Sequence, residues 1–335
     1  MRADYRQWVL KTQAELRLQL AANGPERGNL VVIPGMEYTD HRWGHGGIAF
    51  ADVKEVLDEV PLDVARAHPE RFFERWLAHG GVMTINHPVQ RPMPAAPFME
   101  LRFDLSWRGF GRPIPDGYGR PRAVHPADVA FITQHAQTVE TFNLSIGHLR
   151  DQFLVGDEDR SLREAAHLVD RVARDDQRRI TPVGGSDSHG NWLRATTYVL
   201  ARDRSAAGVR EALLGGRTCV RGPEACSLRV KEASRSGQWQ IAGDAIAHAT
   251  AVDVITEGGP ATFVVNGVAV AQAATGQPTR ITLPDNRCAL VRAIVGRSWS
   301  APVYVNCAFA DGMLGARSFF PSSLPMRSPY VGRDG

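Results

Sequence analysis

Short apolar runs alternate with longer amphipathic stretches through the first two thirds of this 335-residue chain. The short runs predict buried strands, and stretches with apolar residues every three or four positions predict helices. The predicted strands are residues 30–33, 48–53, 82–85, 138–142, a run beginning at 180, and 196–201. The predicted helices are residues 4–22, 69–79, 126–135, 162–175 and 206–214.

This alternation of strand and helix predicts an α/β domain over residues 1–222, with parallel strands and helices outside, as in a barrel. The pattern changes after residue 222, where short β-type runs alternate with turns. We expect a small antiparallel β-sandwich over residues 223–310, with a hairpin turn at Asn266-Gly267. The Pro/Ser/Arg-rich tail, residues 311–335, is expected to be poorly ordered at its end.

Composition excludes several classes of partner. A hydrophobic content of 43% and a charged content of 22% are ordinary for a globular protein. The net charge of +3, without a Lys/Arg block, predicts no nucleic-acid partner. No apolar run reaches about 18 residues, so no membrane span is expected. Because Met1 is not followed by a leader pattern, the default expectation is a cytoplasmic protein, with export open if the true start lies further upstream.

The four cysteines do not form a zinc-binding pattern. Cys219, Cys226, Cys288 and Cys307 include no C-x-x-C pair, so a zinc knuckle is not expected. We expect buried free thiols, with a Cys219–Cys226 disulfide as the alternative.

Side chains that bind metals follow several predicted strands. In a barrel of parallel strands, chemistry occurs where the strands end, and Glu37, His87 and Asp187 each come after an apolar run. His45 lies in a loop at the same end as Glu37, and His189 points the same way as Asp187 in extended backbone. The sequence therefore predicts one metal site. Its predicted ligands are Glu37, His45, His87, Asp187 and His189.

These donors suit more than one ion. Glu37 has two oxygens and can bridge a pair of metals about 3.5–4 Å apart, which lowers the pKa of a bridging water and yields hydroxide for hydrolysis. Oxygen and imidazole donors favour Zn, Mn or Fe. An anionic small-molecule substrate is expected near the same rim. The candidate substrate-binding residues are Asn143, Arg42, His148 and Arg194, although Asn143 is also typical of a residue that orients a neighbour.

Together, these residues resemble the later metal motifs of the PHP (polymerase and histidinol phosphatase) superfamily. The motifs are GME at 35–37, GH at 44–45, NHP at 86–88, VETFN at 139–143 and GSDSH at 185–189. The sequence around residues 43–45 and the sandwich after residue 222 are most similar to its CehA/McbA-type metallohydrolase branch.

The resemblance implies a distorted, TIM-like (β/α)7 barrel that holds two or three Zn, Mn or Fe ions. It implies that Glu37 bridges two metals, that His45 and His87 bind one of them, and that Asp187 binds another. His189 would bind a third metal or the substrate. Glu37, Asp187 and His189 would then take the catalytic roles.

The family's opening motifs, an His-x-His strand and a strand ending in Thr-Asp-His, do not occur ahead of Glu37. We therefore expect an N-terminally incomplete barrel, either because the natural chain is longer or because these ligands have been lost. The first hypothesis is a metal-dependent hydrolase of phosphoesters or related ester or carbamate bonds. The alternative is a truncated or degenerate PHP-fold protein that binds a partner without catalysis. Neither the substrate nor the oligomeric state is readable from the sequence.

Overall fold

The computed structural model describes residues 31, 33, 35–40, 44–88, 135–144, 158–187, 196–234 and 237–309. Within these ranges the chain is mixed α/β, with three sheets and five α-helices. The predictions for residues 4–22, 126–134 and 311–335 lie outside the described residues.

The first sheet contains five strands in the order β1-β2-β3-β4-β5. They are β1 Gly35–Asp40, β2 Gly44–Ala49, β3 Val82–Ile85, β4 Thr138–Asn143 and β5 Thr181–Gly185. The pairs β3–β4 and β4–β5 are parallel, as predicted. The pairs β1–β2 and β2–β3 are antiparallel, so the prediction of parallel strands throughout this part is wrong for its beginning.

The first two strands form a hairpin that the sequence pattern misplaced. Glu37 and His45 were expected in a loop between strands at 30–33 and 48–53, but they lie within β1 and β2. The cause is glycine, which weakens the apparent strand pattern. A β-carbon on Gly35 would lie 2.6 Å from the carbonyl oxygen of Ile48, and one on Gly47 would lie 2.9 Å from the side chain of Asn86. Glycine is therefore needed where these backbones approach closely.

Five α-helices lie in the described ranges between residues 53 and 214. They are α1 Val53–Glu59, α2 Leu62–Ala67, α3 Pro69–Ala78, α4 Glu158–Asp175 and α5 Ala206–Leu214. The last three agree with the predicted helices. The first two were missed, because each is only six or seven residues long and shows little periodicity.

Helix α3 supplies the core beneath the hairpin. Phe72, Phe73 and Trp76 are at most 2% exposed. Tyr38 of β1 packs on the two phenylalanine rings, with centroids 5.5 and 5.0 Å away, and its hydroxyl donates a hydrogen bond to the carbonyl of Ala65. Because alternate residues of a strand face opposite sides, Tyr38 on the helical side places Glu37 on the other side of the sheet.

Two further sheets are built from short strands. These are β6 Thr197–Val199, β7 Thr218–Val220, β8 Arg229–Glu232, β9 Gln240–Ile241, β10 Ala245–Ile246, β11 Ala251–Ile255, β12 Ala261–Val265, β13 Val268–Ala273, β14 Thr279–Thr282, β15 Ala289–Val295, β16 Ser298–Ser300 and β17 Val303–Val305. The larger sheet has the order β10-β17-β15-β16-β7-β6, with β12 on β15 and β13 on β12; the smaller is β14-β11-β8-β9. Only β10–β17 is parallel among these pairs.

The two sheets share one hydrophobic cluster. Val254 of the smaller sheet and Phe263 and Val291 of the larger are all fully buried within it. Strands β6 and β7, which precede residue 222, belong to the larger sheet. Threonine hydroxyls attach β5 to them: Thr218 donates to the carbonyl of Pro182, and Thr197 donates to that of Gly184.

All four cysteines are paired, which corrects the prediction of free thiols. Cys219 bonds to Cys226, the pairing kept as the alternative, and Cys288 bonds to Cys307. The second pair joins the segments that flank β15 and β17, two neighbouring strands. Its 19-residue separation forms no motif, so only strand pairing reveals it.

None of the helices in the described ranges is long and apolar enough to cross a bilayer.

Candidate metal centre

Glu37, His45 and His87 converge on the side of the first sheet away from α3. Each offers one ligand atom, and these atoms all lie within 4.8 Å of one another. Oε1 of Glu37 is 3.6 Å from Nδ1 of His45 and 3.9 Å from Nε2 of His87. The side chain of Glu37 is 41% exposed, whereas those of His45 and His87 are 15% and 4% exposed. The group is therefore open on the carboxylate side and closed on the imidazole side.

The hairpin register brings the first two residues together. Thr39 pairs with His45, and Glu37 pairs with Gly47. Directly paired residues share a face, as do residues two apart in one strand, so Glu37 and His45 point to the same side. His87 follows the end of β3, where the backbone N–H of Asn86 still donates to the carbonyl of His45. The backbone of His87 has a positive φ of 30°.

Neighbouring groups keep Glu37 ionised. Its pKa is lowered from 4.5 to about 2, most strongly by its side-chain interaction with His45. Partial burial opposes this shift. The Asn86 amide, which donates to Oε1 at 2.8 Å, and the charges of both histidines lower the pKa further. The carboxylate is thus in the charged form that metal binding requires.

The spacing of the three donors fits a single divalent ion. One carboxylate and two imidazoles form a donor set used for Zn and for non-haem Fe. Ligand bonds of about 2.0–2.1 Å in tetrahedral geometry place two donor atoms about 3.4 Å apart. The separations of 3.6 and 3.9 Å between Glu37 and the two imidazoles are close to this spacing, and all three donor atoms lie within 4.8 Å of one another.

A second carboxylate, Glu140, lies directly behind this group and was missed by the sequence analysis. It is 7% exposed. Its Oε2 accepts hydrogen bonds from the backbone N–H of His87 at 2.7 Å and from the amide of Asn143 at 3.2 Å. Burial raises its pKa from 4.5 to about 8. These two hydrogen bonds oppose the rise, and the charges of Asp187 and Glu37 add to it.

A β-bulge puts Asn143 on the same side as Glu140. The register of β4 on β5 shifts between Glu140 and Phe142. An extra residue reverses the alternation of faces beyond it, so Phe142 packs with Leu162 and Asn143 returns to the site. The VETFN motif drew attention to Asn143, but a period-two pattern gives no sign that Glu140 shares its side.

The predicted site residues divide into three groups. Glu37, His45 and His87 lie together. Asp187 is not part of that cluster among the described residues, but its Oδ2 accepts a hydrogen bond from the Asn143 amide at 3.0 Å. Four residues lie outside the described residues, and their roles remain predictions. They are His189, Arg42, His148 and Arg194.

Comparison with protein-family models gives no match, and comparison with curated proteins gives none either. The chain is similar to a crystal structure of a two-domain protein from Bacteroides vulgatus, described as containing a predicted PHP-like metal-dependent phosphoesterase. The identity is 16% and the TM-score 0.38, over 88% of this chain and 76% of that chain. A similarity this remote carries no weight for function.

Proposed function

We propose that this protein is a metal-dependent hydrolase that acts on phosphoesters or on related ester or carbamate bonds. The observation that carries the proposal is the group of Glu37, His45 and His87, whose ligand atoms lie within 4.8 Å of one another. The motifs around these residues support assignment to the PHP superfamily and its CehA/McbA-type branch. We further propose a barrel-type first domain over residues 1–222 and a second domain over residues 223–310.

Each residue of the group has a distinct part. Glu37 is ionised and partly exposed, so it faces the incoming substrate and can turn one oxygen toward each of two ions. His45 and His87 form the closed side and exclude water from behind. A divalent ion bound there would act as a Lewis acid and lower the pKa of coordinated water, which is the chemistry that ester hydrolysis needs.

The finer assignments extend from this centre. We propose two or three ions of Zn, Mn or Fe, with Asp187 and His189 as ligands of those beyond the first. The position of Asp187 supports its role as a further ligand. The Asn143 amide bonds to both Asp187 and Glu140, and Glu140 in turn accepts the backbone N–H of His87. For an anionic small-molecule substrate we propose Arg42, Arg194, His148 and Asn143 as binding residues.

Metal content and turnover test the proposal together. The metal-free chain is dialysed against Zn²⁺, Mn²⁺ or Fe²⁺, the bound metal is counted, and hydrolysis of p-nitrophenyl phosphate, bis-p-nitrophenyl phosphate and p-nitrophenyl acetate is measured. We expect bound metal and metal-dependent turnover in the natural chain. Both should be lost in His87→Ala.

His79→Ala is the matched control. His79 also contacts carboxylates, at 2.7 Å from Glu59 and 3.4 Å from Glu55, but it lies at the C-terminal end of α3. This variant should keep both metal and turnover. Absence of bound metal, or turnover unchanged by His87→Ala, contradicts the proposal. Metal binding without turnover on any ester would instead favour a binding role.

A further inference from the structure

We propose that Glu140 is a positioning residue of this centre, which holds the His87 backbone directly and the Asp187 carboxylate through Asn143. The inference rests on the proposed function, since it concerns how the chain prepares its metal ligands. Glu140 comes from β4, which lies between β3 and β5 in the sheet, whereas the ligands it serves come from the two separate segments that follow β3 and β5.

The direct contact fixes His87. Its backbone N–H donates to Oε2 of Glu140 at 2.7 Å, and its φ of 30° is in the left-handed region that residues with a side chain seldom adopt. Such a conformation persists where surrounding contacts enforce it. Without this acceptor, the buried N–H would lose its hydrogen bond to Glu140, which would favour a different backbone conformation. The imidazole direction therefore depends on Glu140.

The indirect contact fixes Asp187. The side-chain nitrogen of Asn143 lies 3.2 Å from Oε2 of Glu140 and 3.0 Å from Oδ2 of Asp187. An amide NH₂ has two hydrogens, one for each carboxylate. Asp187 also has a positive φ, 44°. Asn143 thus sets the spacing between a buried acid and a strained candidate ligand.

The chain leaves room for Glu140 by means of a glycine. Gly185 pairs with Asn143 across β4 and β5. A β-carbon there would lie 2.2 Å from Oε1 of Glu140, closer than two such atoms can approach. The need to leave space for the Glu140 carboxylate thereby explains the glycine that precedes the Ser-Asp-Ser-His segment. Substitution of Gly185 by Ala should displace the carboxylate without removing it.

Binding of Co²⁺ alone tests the inference, because its visible absorption reports both affinity and ligand geometry. Glu140→Met keeps the volume of the side chain and removes its acceptor oxygens. Glu140→Gln keeps one acceptor oxygen, which can serve both the His87 backbone N–H and the Asn143 amide. We expect Co²⁺ affinity to fall at least tenfold in Glu140→Met, with an altered absorption band, since support of metal ligands is typically worth 10- to 100-fold. In Glu140→Gln affinity should stay within about threefold of the natural chain.

Asp244→Leu is the matched control for loss of stability. Asp244 also accepts one backbone N–H, from Ile241 at 2.9 Å, and one side-chain donor, from Arg217 at 2.7 Å. This variant should lower the melting temperature of the metal-free chain and leave Co²⁺ affinity unchanged. If Glu140→Met does not fold, Gly185→Ala takes its place, with the same loss of affinity expected.

The outcomes separate this inference from the proposed function. If Glu140→Met, or Gly185→Ala when that variant replaces it, binds Co²⁺ as tightly as the natural chain does, the positioning role is overturned while the hydrolase proposal stands. An equal loss in Glu140→Gln and Glu140→Met also overturns it, since the missing feature would then be charge rather than an acceptor. Failure of the natural chain to bind Co²⁺ overturns both.

Discussion

The buried acid Glu140 should make the metal-free protein less stable as the pH rises. Its pKa is raised from 4.5 to about 8 in the folded chain, chiefly by burial. The folded chain therefore keeps this proton up to about pH 8, while the unfolded chain releases it near pH 4.5. Between these values the folded state binds more protons, so the free energy of unfolding falls with rising pH. The contribution is fully present below pH 4.5 and is lost as the pH passes the folded pKa.

The size of the effect follows from the two pKa values. Each pH unit between them corresponds to about 1.4 kcal/mol, which bounds the total at about 5 kcal/mol. Over the accessible range, from pH 5 to pH 8, the two titration curves give a loss of about 3–4 kcal/mol. Glu140→Gln carries no titrating proton and should lack this component.

Urea unfolding followed by circular dichroism, in chelator from pH 5 to pH 8, measures the difference between the two chains at each pH. We expect the curve of the natural chain to fall relative to that of Glu140→Gln by about 3–4 kcal/mol. Titrating groups that do not interact with Glu140 are present in both chains and cancel in the difference. Parallel curves would show that Glu140 is ionised in the folded chain at neutral pH and would refute the reasoning.

Three further changes should alter stability. Arg292→Met leaves Asp170 of α4 without its buried ion-pair partner and should cost about 3–5 kcal/mol in urea unfolding, while adding Asp170→Leu should recover most of this loss. Cys288→Ser with Cys307→Ser opens a 19-residue link and should lower stability by about 3 kcal/mol; equal melting temperatures with and without reductant in the natural chain would contradict this. Gly81→Ala places a β-carbon 2.1 Å from the indole nitrogen of a buried tryptophan and should lower the melting temperature through overpacking, typically 1–3 kcal/mol.

Elements with a strong local signal were predictable. Helix α3 begins at Pro69, the residue expected to start it, and ends before Gly80-Gly81. Strand β3 and helix α5 have the predicted bounds. In each, the side-chain pattern over a few neighbouring residues is enough, because burial of one face and the chemistry of the ends act locally.

The sequence also predicted the residues of the candidate centre. It did not predict how they are arranged. Glu37, His45 and His87 stood out as metal-binding types near apolar runs. That they face one side depends on the hairpin register and on glycines that admit close backbones, and these glycines made the strands resemble loops. Pairing between strands distant in sequence is required to resolve that ambiguity.

Local pattern alone thus determined the main helices, most strands and the metal-binding residue types of this chain. Tertiary structure decided which of them meet. It placed Glu140 behind His87 through a bulge that reverses the faces of β4, and it paired cysteines 19 residues apart. The physical reason is that periodicity reports burial along one element, whereas hydrogen bonds and disulfides between elements depend on register and distance, which exist only once the sheets are assembled.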